Sequence, residues 1–282
     1  LLLGRATQAQ GNPEQALQRY QAGLDAAALL RLSTQLHVQR GLTHVYRRDM
    51  RQAWREASLA HFHALLNLGV VCDQSGDYGA ARAHFLKALA LAEEQGLQAG
   101  IAETHHYLAI LAGRQNDLEL ALPHFEQAIA FYERVGDQLS REHVRGNLAS
   151  TFIQARRFAE AVAAAEQAMR FFAAAGNPFR TAQNASNLAE AHAELGNLDE
   201  AEQYANLVLR QDEPQSHPYA LFTLGTVQLR RGDLVQAERC YDQSRRLAAI
   251  NDDRYLLAFA WRAHGEVLRA QGQQADADHA FT

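Results

Sequence analysis

The chain has 282 residues, with 27 basic and 32 acidic side chains, a net charge of −5, 48 % hydrophobic residues and 5 prolines. That balance excludes a disordered tail and a Pro-rich linker, and without Lys/Arg blocks it lacks the basic footprint of a nucleic-acid or membrane-surface protein. Cys72 and Cys240 are too few and too far apart for a disulfide framework, which points to a reducing, cytoplasmic compartment. The longest uncharged run, 57–72, carries His61, His63 and Asn67 and falls short of the roughly 18 apolar residues a membrane span needs. The chain opens on Leu1-Leu2-Leu3-Gly4 without an initiator Met and closes at Phe281-Thr282 inside an apparent helix, so it reads as a piece of something longer.

Taken in order, the elements are helix pairs set by two columns of small residues. The first column is Gly4, Gly41, Gly69, Ala109, Ala149, Ala189, Gly225 and Gly265. Twelve residues after each stands Ala16, Ala53, Ala81, Ala121, Ala161, Ala201, Ala237 or Ala277. With Ala at about one residue in five, that run has odds on the order of one in a million. Between the columns lie turn signals: Gly11-Asn12, Gly76-Asp77, Asn116-Asp117, Gly196-Asn197 and Gly232-Asp233. Gly ends one helix in the left-handed conformation and Asn or Asp caps the next. Four residues past the Ala column come Tyr20, Phe85, Phe125, Tyr241 and Phe281, alternating with Ala57, Ala165 and Ala205. In the middle of the chain a strict 40-residue period also aligns Leu68, Leu108, Leu148 and Leu188, and Asn67, Asn147 and Asn187.

The physical reading is about eight antiparallel helical hairpins. Small residues of the first helix face Ala of the second so that the backbones approach closely, and the aromatic column fills the space between neighbouring hairpins. No hairpin can bury its apolar stripe alone; stacking makes the core continuous.

Anchor spacings run 37, 28, 40, 40, 40, 36 and 40, so the period fails twice. The spacing of 28 between Gly41 and Gly69 leaves no room for a turn. Either two helices fuse there, or a connection near positions 60–61 is missing; the lack of any breaker between Glu56 and Val70 favours the missing connection. Pro214 and Pro218 mark an irregular loop over 211–218 that shortens a helix without starting a new domain.

The segment Asn187-Leu188-Ala189-Glu190-Ala191-His192-Ala193-Glu194-Leu195-Gly196-Asn197-Leu198-Asp199-Glu200-Ala201 resembles the tetratricopeptide repeat family, and the resemblance spans essentially the whole chain. The 40-residue period resembles its longer-helix branch, found in kinesin light chains, cell-polarity adaptors and bacterial signalling regulators. The resemblance implies an all-α, right-handed solenoid over 1–282 whose first helices line a concave groove.

Helical geometry then selects groove-facing positions in each first helix. They are His63, Asn67, Val70 and Gln74; Glu103, Tyr107, Ile110 and Arg114; His143, Asn147, Ser150 and Gln154; Gln183, Asn187, Glu190 and Glu194; and Tyr219, Thr223, Thr226 and Arg230. Asn is a middling helix former, so its recurrence at one position invites a special reason. Its amide carries both donor and acceptor and can pair with the main chain of an extended peptide. By resemblance to peptide-binding relatives, Asn67, Asn147 and Asn187 take that role, with Tyr107 interrupting the ladder. The competing reading has these amides stabilising a neighbouring helix. The other expected contacts are Tyr107, Arg114, His143, Gln154, Glu190, Glu194, Tyr219 and Arg230, with Phe222 in support.

No chemistry beyond binding is expected. His63, Glu103 and His143 recur at one position but lack metal-ligand spacing such as H-E-x-x-H, so the histidines read as solvated groove residues. No nucleophile elbow, P-loop or dinucleotide fingerprint occurs. Glu190 and Glu194 read as solvated charge and Cys72 and Cys240 as small buried hydrophobes. The expectation is therefore a non-catalytic scaffold without cofactor or metal, binding a protein or extended peptide but neither nucleic acid nor membrane. Its expected setting is the sensor or interaction module of a larger bacterial regulator. A small-molecule sensor of a transcription activator and a self-associating scaffold, a homo-oligomer, stay open beside it.

Overall fold

The computed structural model describes residues 30–273 apart from positions 48 and 212. The expected first hairpin (Gly4, Ala16, Tyr20) and the end of the last (Ala277, Phe281) lie outside the described residues. Those described form twelve α-helices and no strand. They divide into two compact units.

The first unit holds α1 (Leu30–Tyr46), α2 (Met50–Gln74), α3 (Tyr78–Glu94), α4 (Gln98–Arg114) and α5 (Leu118–Val135). The second holds α6 (Gln138–Gln154), α7 (Phe158–Ala174), α8 (Pro178–Leu195), α9 (Leu198–Leu209), α10 (His217–Arg231), α11 (Leu234–Ile250) and α12 (Arg254–Ala270). Within each unit sequential helices pack as antiparallel pairs, and first helices of adjacent pairs touch: α2 with α4, α6 with α8, α8 with α10 and α10 with α12.

The turns form as their residues dictate. Gly76, Gly196 and Gly232 end helices at φ near +84°, the left-handed region that costs a glycine nothing. After Gly76, the Asp77 side chain accepts from the Ala80 amide at 2.9 Å, and Asp233 accepts from Gln236 in the same way. These bonds satisfy donors that the first turn of a helix leaves open. Asn116 and Arg156 take the same left-handed turn without being glycine, at φ 58° and 59°.

The Ala column is the seam of the core. Ala53, Ala81, Ala121, Ala161, Ala201 and Ala237 are all buried. The aromatic column does more than fill the gap between pairs. Phe85 lies over Gly69 of its own hairpin and stacks on Tyr107 of the next, with ring centroids 5.4 Å apart. Tyr241 covers Gly225 in the same way.

Both breaks in period have a structural counterpart. Helix α2 runs through Ala60 and His61 for 25 residues without interruption, so its first half pairs with α1 and its second half with α3. Helix α9 stops after 12 residues, and the His217 ring donates Nε2–H to the Gln211 carbonyl at 3.1 Å across the irregular segment.

Candidate functional site

In the first unit the residues expected to face the groove sit on α2 and α4. The Asn67 amide donates to Thr34 Oγ1 on α1 at 3.2 Å. Tyr107 is half-buried against Phe85. Arg114 reaches back to the buried Asp73 carboxylate at 3.3 Å. Burial pushes the Asp73 pKa up and the Arg114 charge partly offsets it. Glu103 is half-buried on the same face, and desolvation raises its pKa to about 7.

In the second unit the face is built from α6, α8 and α10. The Asn187 amide donates to the Gly146 carbonyl of α6 at 3.3 Å, and Asn147 is half-buried one helix away. Gln154 stands exposed at the end of α6. Glu194 and Arg230 pair at 2.7 Å, and Arg230 also donates to the Ala193 carbonyl, tying α10 to α8. Glu190 is open to water by area but crowded by the surrounding helices; that crowding and the Glu194 charge one turn on raise its pKa to about 7. The Tyr219 hydroxyl donates to the Asp253 carboxylate that caps α12, at 2.5 Å. Phe222 turns into the core against Tyr241.

Two sequence expectations change on this face. His63 and His143 are desolvated rather than solvated: burial lowers both to about 4, aided by His37 for the first and Arg180 for the second, so both are neutral at pH 7. The Asn column also has a structural use: Asn67 and Asn187 each bond the preceding first helix. Cys72 and Cys240 are only partly buried.

Two buried clusters escaped the sequence. Glu56 accepts from His37 at 2.5 Å and from Arg40 at 3.1 Å, with His63 stacked on His37 at 5.3 Å. His105 and His124 share one proton between Nδ1 atoms 2.8 Å apart. Glu56 was visible as a charge on the apolar stripe of Ala53 and Ala60; nothing in spacing announced the His105–His124 pair. A shallow cleft of about 270 Å³ lies beside that pair, lined by Ile101, Gln127, Phe131 and Arg134 among others. Among the described residues no three His, Cys, Asp or Glu side chains stand close enough to hold a metal ion. No helix among them is long and apolar enough to cross a membrane.

The Tetratricopeptide repeat model matches residues 55–134 and 140–213, and a second model of that description matches 218–243. The chain belongs to the tetratricopeptide repeat family. Its described residues form an all-α helical-repeat solenoid of that family, with first helices α4, α6 and α8 starting 40 residues apart, at Gln98, Gln138 and Pro178. Solved tetratricopeptide-like structures share the fold. A Rap protein complexed with Competence and Sporulation Factor is 17 % identical over 98 % of this chain and 86 % of its own, with a TM-score of 0.65. The apo quorum sensor NprR of B. thuringiensis is 13 % identical over 98 % and 93 %, with a TM-score of 0.57. PilW, a type IV pilus biogenesis factor, is 18 % identical over 78 % and 90 %, with a TM-score of 0.59. No curated protein matches the chain.

Proposed function

We propose that this tetratricopeptide repeat chain is a non-catalytic scaffold that binds a protein or extended peptide segment on the faces of its first helices. The observation that carries this is the face itself. In each unit it presents amides, hydroxyls and carboxylates along a row of helices, while the Ala and aromatic columns are buried in the repeat seams. Polar groups in a row at helical spacing suit a chain that runs across them and offers its own main-chain donors and acceptors. The likeness to a Rap protein solved with a bound factor, and to a quorum sensor, supports a place in a bacterial regulator. The groove contacts are Asn67, Tyr107 and Arg114 in the first unit, and His143, Asn147, Gln154, Asn187, Glu190, Glu194, Tyr219 and Arg230 in the second.

The test uses peptides selected from a random 12-residue display library on the full chain. Gln154 and Gln167 are both exposed, the first on the groove face of α6 and the second on α7. Gln154→Arg should weaken a selected peptide at least tenfold in fluorescence anisotropy, and Gln167→Arg should leave it unchanged. Equal affinity for both variants, or no enriched peptide, refutes the assignment.

A further inference from the structure

The groove faces of the two units carry one electrostatic pattern on different residues. In the first unit Arg114 is held by Asp73, while Glu103 has no hydrogen-bond or ion-pair partner among the described residues. In the second, Arg230 is held by Glu194, while Glu190 has no such partner among the described residues. Charges on the helices around Glu190 are engaged elsewhere. On α6 Arg141 and Arg145 pair with Glu142, on α7 Arg170 pairs with Glu166, and Arg231 of α10 pairs with Asp199 and Glu202 of α9. Arg180, at the start of α8, donates to Gln183 and lies over the Phe179 ring. His63 and His143, the imidazoles of these faces, are kept neutral by burial.

We propose that the partner segment is basic, presenting an Arg or Lys side chain to Glu103 or to Glu190, each taken within its own unit. This rests on the peptide-binding reading above and gives it a sign of charge. A carboxylate without a counter-ion is open to an incoming cation, and a charge-assisted hydrogen bond is roughly twice as strong as a neutral one. Desolvation raises the pKa of both carboxyls, and the Glu194 charge adds to it at Glu190. Arg114 and Arg230 already pair with Asp73 and Glu194. Uncharged Asn187, one turn before Glu190 on the same helix, suits a contact to the segment's main chain.

The experiment pans the same display library against the full chain as wild type, Glu103→Gln, Glu190→Gln and the double variant. Gln keeps the shape and removes an unpaired charge, so each variant should melt no lower than wild type by circular dichroism. We expect wild type to enrich Arg- or Lys-bearing peptides. The double variant should bind them at least tenfold more weakly, and replacing the peptide's basic residue by norleucine should then cost nothing further. Enriched peptides that are acidic or lack a basic residue overturn the charge assignment and leave the groove reading standing. So does undiminished binding by the double variant. Failure to enrich any peptide removes both. A dimer in sizing that Gln154→Arg disperses would seat a second copy on the face and overturn the proposal as well.

Discussion

Gly69→Ala tests the packing rule on which the repeat rests. A Cβ added at Gly69 would stand 2.3 Å from Phe85 Cε1, 2.6 Å from Cδ1 and 2.9 Å from Cζ. Carbon atoms settle at about 3.5–4.0 Å, so the ring has to retreat by more than about 1 Å. It has nowhere to go, because Phe85 is 1 % exposed and its other face is stacked on Tyr107. Overpacking of this kind costs about 1–3 kcal/mol, and a clash this short belongs at the upper end. Against it stands the helix preference of Ala over Gly, about 1 kcal/mol at a mid-helix position. The net expectation is a loss of about 2 kcal/mol.

Urea titrations followed by far-UV circular dichroism measure this, with Gly79→Ala as the control. At Gly79 the nearest atom to a new Cβ is Asp77 Oδ1 at 3.6 Å, so only the helix preference acts and the midpoint should rise slightly. Trimming the ring in Gly69→Ala/Phe85→Leu should recover part of the loss, giving a favourable coupling in the double-mutant cycle. A Gly69→Ala midpoint at or above wild type would refute the idea that glycine in the first helix exists to admit the aromatic ring of the second.

Two further predictions follow from the groove faces. His143 is held near pKa 4 by burial and by Arg180, below its ordinary 6.5, so the stability due to keeping it neutral is complete above pH 6.5 and falls as pH drops toward 4. Its ceiling is about 3 kcal/mol before screening, and His143→Gln should flatten that part of the thermal-stability curve between pH 6.5 and 4, read by calorimetry. Glu103 and Glu190 act in the opposite sense, their raised carboxyls costing stability as pH rises from 4.5 through 7, so the difference between wild type and variant is the quantity to compare. Asn187→Ala removes the bond to the Gly146 carbonyl and should lower stability by about 1 kcal/mol in the same urea assay; no change would mean that the amide holds nothing in the free protein.

Much of the fold was legible because its packing is written in invariant sizes. Where a ring or a second backbone must come close, only Gly or Ala fits, and the Ala53-to-Ala237 column records that need at every turn of the stack. Turn chemistry was legible at Gly76-Asp77 and Gly232-Asp233 but silent at Arg156, a left-handed arginine that no local rule anticipates. Leu68 keeps register with Leu108 and Leu188, yet it is 49 % exposed while they are buried. The preceding repeat is joined to it in one helix, so the neighbour that would cover Leu68 is displaced. The groove was harder, because exposure and ionisation depend on what stands across the gap. Position alone gave His63 and His143 a solvated face; neighbouring side chains made them neutral and desolvated.

The same small residues that close the seams also decide what the groove faces can offer. Gly146 has no side chain, and a Cβ there would stand 2.7 Å from Asn184 Oδ1. Its bareness lets α8 settle against α6, and it leaves the Gly146 carbonyl within reach of the Asn187 amide. Seam and ladder are thus one device: close approach creates the acceptor, and the acceptor takes the donor half of the groove amide. Arg114 and Arg230 follow the same course, the first pairing with Asp73 and the second with Glu194 and the Ala193 carbonyl of the adjoining helix. As the stack takes up these donors and cations to hold its own helices together, Glu103 and Glu190 stay on its faces without a partner among the described residues. The preference for a basic segment that we propose then needs no residue placed for that purpose alone, because it comes from how the repeats are fastened to one another.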